Sequence, residues 1–293
     1  MRFEHTDDQR DLAAALESLL SASGTAAVAR AWADGDTGPG LKLWARLADL
    51  GVGMLATEAS PVEVVIAFEA LGRHAVPGPW VESAAYLPIA LGHEVEGIAT
   101  LALPPHVPHA LDADVADQVY VGTTPAASVG AAHTSVDRTR RLFEVTGSGE
   151  TDPAAFDLAV LATAAQLLGA GERVLADSVA YVKQRKQFGR EIGSYQAIKH
   201  ALADVRIALD FARPLVVGAA LGEVPASAAK VATADAAYLA SRTGLQVHGA
   251  IGYTAEFDLS LWLTKIRALV TAWGTPAFHR AALLDELTSG RTS

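Results

Sequence analysis

The sequence predicts a mainly α-helical protein in three segments: a helical N-terminal region (1–91), a short β-rich middle (92–152) and a C-terminal helical bundle (153–293). Three observations predict it. First, 51% of the 293 residues are hydrophobic but only 6% are aromatic. The apolar content is therefore largely alanine, a strong helix former whose small side chain lets helices pack closely. Second, apolar residues in both outer segments recur at helical spacing. Third, the middle segment alternates apolar and polar residues in short runs between prolines and small residues, a strand pattern. The length suits two or three domains, and the apolar share excludes a disordered chain.

Thr6 followed by Asp7, Asp8 and Gln9 is an N-cap with acids in the first turn, where the helix dipole favours them. Leu12, Leu16, Leu19 and Leu20 then share one face. A second helix is expected over Leu41–Leu50, stopped by Gly51. A third covers Pro61–Leu71, with Pro61 in its first turn and Gly72 past its end. A proline-bounded stretch runs from Val76 to Pro88. In the middle segment, Gln118–Val121 and Arg141–Thr146 read as strands and Gly147–Gly149 as a turn. From Pro153 the pattern gives long helices over Pro153–Gln184, Tyr195–Leu221 (kinked at Pro214), Pro225–Val247, Glu256–Ala272 and Pro276–Leu287. Their short breaks imply antiparallel neighbours in a bundle.

Composition excludes several functions. With 23 basic against 33 acidic residues, net −10, and no long basic run, nucleic acid is not an expected partner. The short cluster Arg138, Arg140 and Arg141 reads as a solvated surface strand. The absence of cysteine excludes disulfides and thiolate chemistry and fits the cytoplasm. No signal peptide and no membrane span are expected. His106 and His109, in Pro-Pro-His-Val-Pro-His, have no third ligand and read as a surface loop, so no metal is expected.

Three C-terminal segments are more specific. Tyr181 to His200 reads YVKQRKQFGREIGSYQAIKH and is followed by ALADVR; Gln246 to Glu256 reads QVHGAIGYTAE; Gly274-Thr275 precedes the last helix. In this order they resemble the C-terminal domain of acyl-CoA dehydrogenases, flavoenzymes that desaturate acyl-CoA thioesters. The resemblance covers roughly 140 residues well and the N-terminal helices more loosely. It implies that Arg185, Gln187 and Phe188 contact the diphosphate and adenosine of FAD; a guanidinium suits phosphate because it binds bidentately and keeps its charge. It further implies that Gln246 and Gly249 complete the nucleotide site of a neighbouring subunit, that Gln196 belongs to the cofactor-binding string, and that Thr275 lies close to the flavin.

The departures from the family are as informative. Most members carry a glutamate base directly before the Gly-Thr pair; here it is Trp273, whose indole cannot accept a proton. The alternative seat of that base falls on Ala159. The middle segment lacks the Thr-Glu-Pro and Gly-Ser-Asp signatures that face the flavin ring and is short for the full β-domain. Thr57–Pro61 replace a Gly-Gly loop, and Ala250 replaces the second glycine of Gln-x-x-Gly-Gly.

The resemblance therefore implies a short subunit without a catalytic base, paired as α2β2 with a full-length acyl-CoA dehydrogenase that holds the substrate, as in actinobacterial enzymes of steroid side-chain or ring degradation. Two alternatives stay open. One is a structural partner that binds no flavin; the other is an active homo-oligomer with a relocated base, for which Asp157, Glu256 and Asp258 are candidates. The apolar residues Leu259, Leu261, Trp262, Leu263 and Ile266 crowd one short helix and suggest an interface.

Overall fold

The structure is a computed structural model and describes residues 4–289. The N-terminal region holds α1 (Asp7–Ala22), α2 (Thr25–Ala33), α3 (Gly38–Asp49), the single turn α4 (Leu55–Glu58) and α5 (Pro61–Arg73). Thr6 caps α1 through a capping box: its hydroxyl accepts from the Gln9 N–H, and the Gln9 side chain accepts from the Thr6 N–H. Ser60 and Glu63 repeat the device at α5. The later part of the proline-bounded stretch is helical, as a π-helical turn (Glu82–Tyr86) leading into α6 (Leu87–Leu91), while residues 76–79 are not.

Gly72, expected past the end of α5, lies inside it. A Cβ there would come 2.1 Å from the carbonyl oxygen of Gln166, and one on Gly169 would come 2.0 Å from the carbonyl oxygen of Glu69. The two glycines face each other and let the helix backbones touch. The sequence pattern at Gly72 is that of a stop signal; its actual cause is a tertiary crossing.

Six short strands follow: β1 (Ala99–Ala102), β2 (Ala110–Leu111), β3 (Gln118–Val121), β4 (Thr124–Pro125), β5 (Ser128–His133) and β6 (Leu142–Thr146). They form two three-stranded sheets. In one, β3 lies between β1, which it pairs in parallel, and β4; in the other, β6 lies between β2 and β5. Residues 147–149 connect in extended form and do not turn: Gly149 packs so closely on Val121 that a Cβ would come 1.8 Å from its carbonyl oxygen.

The C-terminal region holds α7 (Pro153–Gln184), a small hairpin of β7 (Lys186–Gln187) and β8 (Arg190–Glu191), α8 (Gln196–Ala220), α9 (Ala226–His248), α10 (Leu259–Leu269) and α11 (Pro276–Ser289). Asp152 caps α7 by accepting from the Ala155 N–H at 2.8 Å. Against the expectation of no membrane-length run, α7 is long and apolar enough to cross a bilayer, but 78% of its most apolar window is buried within the chain. It is the central helix of the core, packed on α5, α8, α9 and α10. The crowded apolar residues of α10 also face inward: Leu259, Leu261, Trp262 and Ile266 are all buried. Exposed large apolar side chains lie elsewhere, among them Ile207 and Phe211 on α8 and Tyr238 and Leu239 on α9.

Candidate functional site

The C-terminal end of α7, the β7–β8 hairpin, the start of α8 and the end of α9 enclose a cavity of about 530 Å³. Arg185, Gln187, Phe188, Gln246 and Gly249 all line it, together with Tyr181, Tyr195, Ile198, His248 and Ala250. Two of the residues singled out from sequence do not. Gln196 opens α8 beside the cavity without lining it, and Thr275 lies at the start of α11, where its hydroxyl accepts from the Phe278 N–H at 3.2 Å.

Local backbone chemistry explains how this cavity presents its groups. Phe188 and Gly189 are the two central residues of the β7–β8 hairpin, with φ of 53° and 80°. Positive φ at both positions is the two-residue turn whose twist matches paired strands. A phenylalanine there is unusual, because its Cβ crowds the backbone in this region. Its ring is 90% exposed. Beside it, the Arg185 guanidinium has no side-chain hydrogen bond or ion pair among the described residues, and the Arg190 guanidinium lies 3.9 Å from the Tyr195 ring centroid. Tyr181 stacks on His248 with ring centroids 4.3 Å apart; His248 Nδ1 lies 2.8 Å from the Gly244 carbonyl, and burial lowers the pKa of its imidazole. Gly249 has φ 61° and ψ −138°, a conformation suited to glycine, and a Cβ there would meet nothing within 4 Å.

The position to which the resemblance assigns the family's base is built differently. Trp273 is 1% exposed and packs with Tyr86 at 5.2 Å and Phe156 at 6.0 Å between ring centroids. Its φ is 57° and that of Gly274 is 100°. A Cβ on Gly274 would come 2.6 Å from His279 Nε2, so only glycine fits there. His279 is buried, which pulls its pKa down to about 4. It is therefore neutral near pH 7: Nε2–H donates to the Trp273 carbonyl at 2.9 Å, and Nδ1 accepts from the Ser227 hydroxyl at 2.9 Å. The fully buried Lys230 donates to the carbonyls of Leu269 and Val270 at 2.9 and 3.0 Å. Burial, with the Arg140 charge nearby, pulls that ammonium down to about 7. Ala159, the alternative seat of the base, is buried in α7.

Of the carboxylates considered for a relocated base, Asp258 pairs with Arg30 at 2.9 Å, and Arg30 also bonds the carbonyls of Ala255 and Glu256. Asp157 and Glu256 are exposed; partial burial and then Glu286 raise the pKa of Asp157.

Glu82, on the π-helical turn, is the carboxylate that sequence reading did not single out. It is 1% exposed, and its oxygens have no hydrogen-bond partner of ordinary geometry among the described residues. Burial raises its pKa, opposed by the Arg140 charge and by the Trp273 indole N–H nearby. No local pattern marks it, since a lone glutamate in a helical stretch reads as a surface residue. The Arg138–Arg141 run likewise departs from its expected role. It forms a turn and the approach to β6, not a surface strand, and Arg141 is half-buried on Asp112 at 3.0 Å.

Solved structures share this architecture. Glutaryl-CoA dehydrogenase from Mycobacterium smegmatis superposes with a TM-score of 0.82 at 17% identity, covering 97% of this chain and 95% of the other. The ChsE4-ChsE5 complex from Mycobacterium tuberculosis gives a TM-score of 0.76 at 20% identity, covering 98% and 99%. These likenesses establish the fold. Sequence carries the assignment further: residues 152–288 match the C-terminal domain of acyl-CoA dehydrogenases. The acyl-CoA dehydrogenase IpdE2 of M. tuberculosis is 34% identical over 225 residues, 69% of this chain and 70% of that protein. This chain belongs to the acyl-CoA dehydrogenase family.

FAD is the cofactor of that family, and the first cavity suits it. It offers a guanidinium free of carboxylate partners, an exposed aromatic ring and a glycine with open space over its Cα. Those are the groups a dinucleotide's phosphates, base and backbone-close edges require.

Proposed function

We propose that this chain is the base-less subunit of a heteromeric flavin-dependent acyl-CoA dehydrogenase that desaturates a CoA thioester of steroid origin, and that it works with a longer catalytic partner in an α2β2 assembly. FAD, when bound, would supply the acceptor for the hydride, which carries both electrons lost from the thioester, while the accompanying proton goes to a base. Arg185, Gln187 and Phe188 would hold its diphosphate and adenosine, with Gln246 and Gly249 completing the site across the subunit interface. The observation that carries the reading is Trp273. At the base position it is an indole without a proton-accepting atom, 1% exposed and wedged among aromatic rings. General-base catalysis contributes typically 10²–10⁴-fold, so this chain's own site lacks the step that begins desaturation. The similarity to the acyl-CoA dehydrogenase IpdE2 supports the reaction class, the fold shared with the Tcur3481-Tcur3483 steroid ACAD supports the steroid part, and the fold shared with the ChsE4-ChsE5 complex supports the heteromeric part; the cytoplasm is the compartment that goes with the proposal.

The test is co-expression with an adjacent full-length acyl-CoA dehydrogenase, followed by mass and flavin measurement. The expected result is a heterotetramer with one FAD per heterodimer, reducible by an acyl-CoA, while the isolated chain bleaches no flavin. Arg185→Ala should weaken FAD retention roughly ten- to a hundredfold, the value of a charge-assisted hydrogen bond of about 1.5–3 kcal/mol. Flavin reduction by an acyl-CoA in a homo-oligomer of this chain would overturn the proposal and favour the active enzyme with a relocated carboxylate, for which the buried Glu82 beside Trp273 is the residue to examine.

A further inference from the structure

A second cavity, also of about 530 Å³, opens between the loop at His106–His109, the Ser135–Leu142 segment and the end of α10. Its walls include Val107, Leu111, Leu142 and Trp273, and its charged groups are Arg140 and Arg267. Among the described residues no aspartate or glutamate lines it, although the chain carries a net charge of −10.

Arg140 is the key group. Its neighbours in the run each have a carboxylate: Arg138 bonds Asp34 at 2.9 Å, and Arg141 bonds Asp112 at 3.0 Å and Asp114 at 2.7 Å. Arg140 has neither a side-chain hydrogen bond nor an ion pair among the described residues, yet it is half-buried at the cavity wall. A desolvated cation without a counter-ion is costly and is normally paired. An acid whose charge Arg140 does feel, Glu82, is fully buried and makes no hydrogen bond to it among the described residues; burial pushes that carboxyl toward its neutral form, which weakens any compensation. On the same wall, His109 Nδ1 is a buried polar atom with no partner. Two polar groups without protein partners thus meet an apolar enclosure of a size that takes small molecules.

We infer that this cavity is a binding site for a compact apolar molecule bearing a single carboxylate, with the carboxylate on Arg140 and the apolar body against Val107, Leu111, Leu142 and Trp273. A guanidinium fork matches a carboxylate bidentately. A polyphosphate fits less well, because most of the wall is apolar and would leave the remaining charge without partners. The site depends on this chain's own residues, so it stands whether or not the heteromeric assembly does.

Calorimetric titration of the full chain with 2-naphthoate, and with the uncharged isostere 2-naphthalenemethanol, tests it. The carboxylate should bind at least tenfold more tightly than the alcohol. Arg140→Gln should reduce naphthoate affinity roughly ten- to a hundredfold, the fold-change of a charge-assisted bond, with alcohol binding unchanged. Equal affinity of the two probes for the unaltered chain would overturn the inference, and that comparison needs no variant to fold. So would unchanged naphthoate binding by Arg140→Gln, or no naphthoate binding up to about 1 mM.

Discussion

Trp273→Glu places the family's base residue back before Gly274-Thr275, and the structure says what else it does. The indole is 1% exposed and touches Tyr86 and Phe156. Truncating a buried tryptophan to alanine typically costs 3–5 kcal/mol through lost packing and the cavity left behind; a glutamate refills part of that space. What it adds is a second carboxylate near Glu82, which already lies buried without a hydrogen-bond partner of ordinary geometry, and it takes away the indole N–H that opposes the rise of the Glu82 pKa. Two such groups raise each other's proton affinity, so one of them holds its proton well above the ordinary carboxylate range. A folded-state pKa above the unfolded value contributes stability below the unfolded pKa that is lost as pH rises through the folded one. The variant should therefore melt roughly 10 °C below the parent at pH 8, using about 2–4 °C per kcal/mol for a chain of this size, with a smaller deficit at pH 5. Thermal unfolding by circular dichroism at both pH values measures this, and flavin bleaching with an acyl-CoA measures activity in parallel. No turnover is expected, because the flavin-ring signatures are missing from residues 92–152. A variant that melts within 2 °C of the parent at both pH values, or that turns over without a partner, would refute the reasoning.

The same linkage predicts that Glu82→Gln raises the melting temperature at pH 8 more than at pH 5, since burial raises the pKa of the native carboxyl; an equal shift at both pH values would show that Glu82 does not titrate differently on folding. Gly169→Ala should destabilise by about 3 kcal/mol or more, because the new methyl would lie 2.0 Å from the Glu69 carbonyl oxygen; helix propensity alone predicts a gain of about 1 kcal/mol, so the sign of the change in urea denaturation decides between them. Gly218→Ala is the comparison: its methyl meets only the Val224 side chain, at 3.3 Å, and it should leave the denaturation midpoint nearly unmoved. The isolated chain should self-associate at micromolar concentration through the α8 and α9 surface, where Phe211 is 75% exposed; sedimentation of a stable monomer would count against a partner on that face.

How much of this was legible in the sequence depends on the range of the physics. Capping is local, so Thr6 with its following acids marks the start of α1 and Pro61 in the first turn marks the start of α5. The span of α7, Pro153 to Gln184, follows from an N-cap aspartate, a proline in the first turn and unbroken apolar periodicity. Gly72 misleads because the same residue type serves as a stop signal and as a helix-crossing notch, and only the position of Gln166 distinguishes them. The sheets are illegible for another reason: β2 and β4 have two residues each, too few for a period, and the parallel pairing of β1 with β3 depends on a crossover. At the site, the string Arg185, Gln187 and Phe188 was readable, but not the left-handed conformation that turns the Phe188 ring outward. The importance of Arg140 and Glu82 could not be read at all. It arises from missing partners, and a missing partner is a property of three dimensions.

That contrast bears on how the two halves of the site are built. At the nucleotide cradle the chain accepts local costs: a phenylalanine at positive φ, its ring in water, and a guanidinium without a carboxylate. Backbone strain and unpaired charge of this kind are features that cluster at ligand sites. At the base position the costs run the other way. Trp273 is packed on two aromatic rings, its carbonyl is held by the neutral His279, and Ser227 fixes the orientation of that imidazole. Lys230 ties down the end of α10 just before it. An indole supported from both sides by its own chain is part of the core. A site that had merely lost its base would show a vacancy there. The packing around Trp273 instead makes the indole a structural part of the core, and this is the arrangement that the proposed division of labour with a catalytic partner calls for.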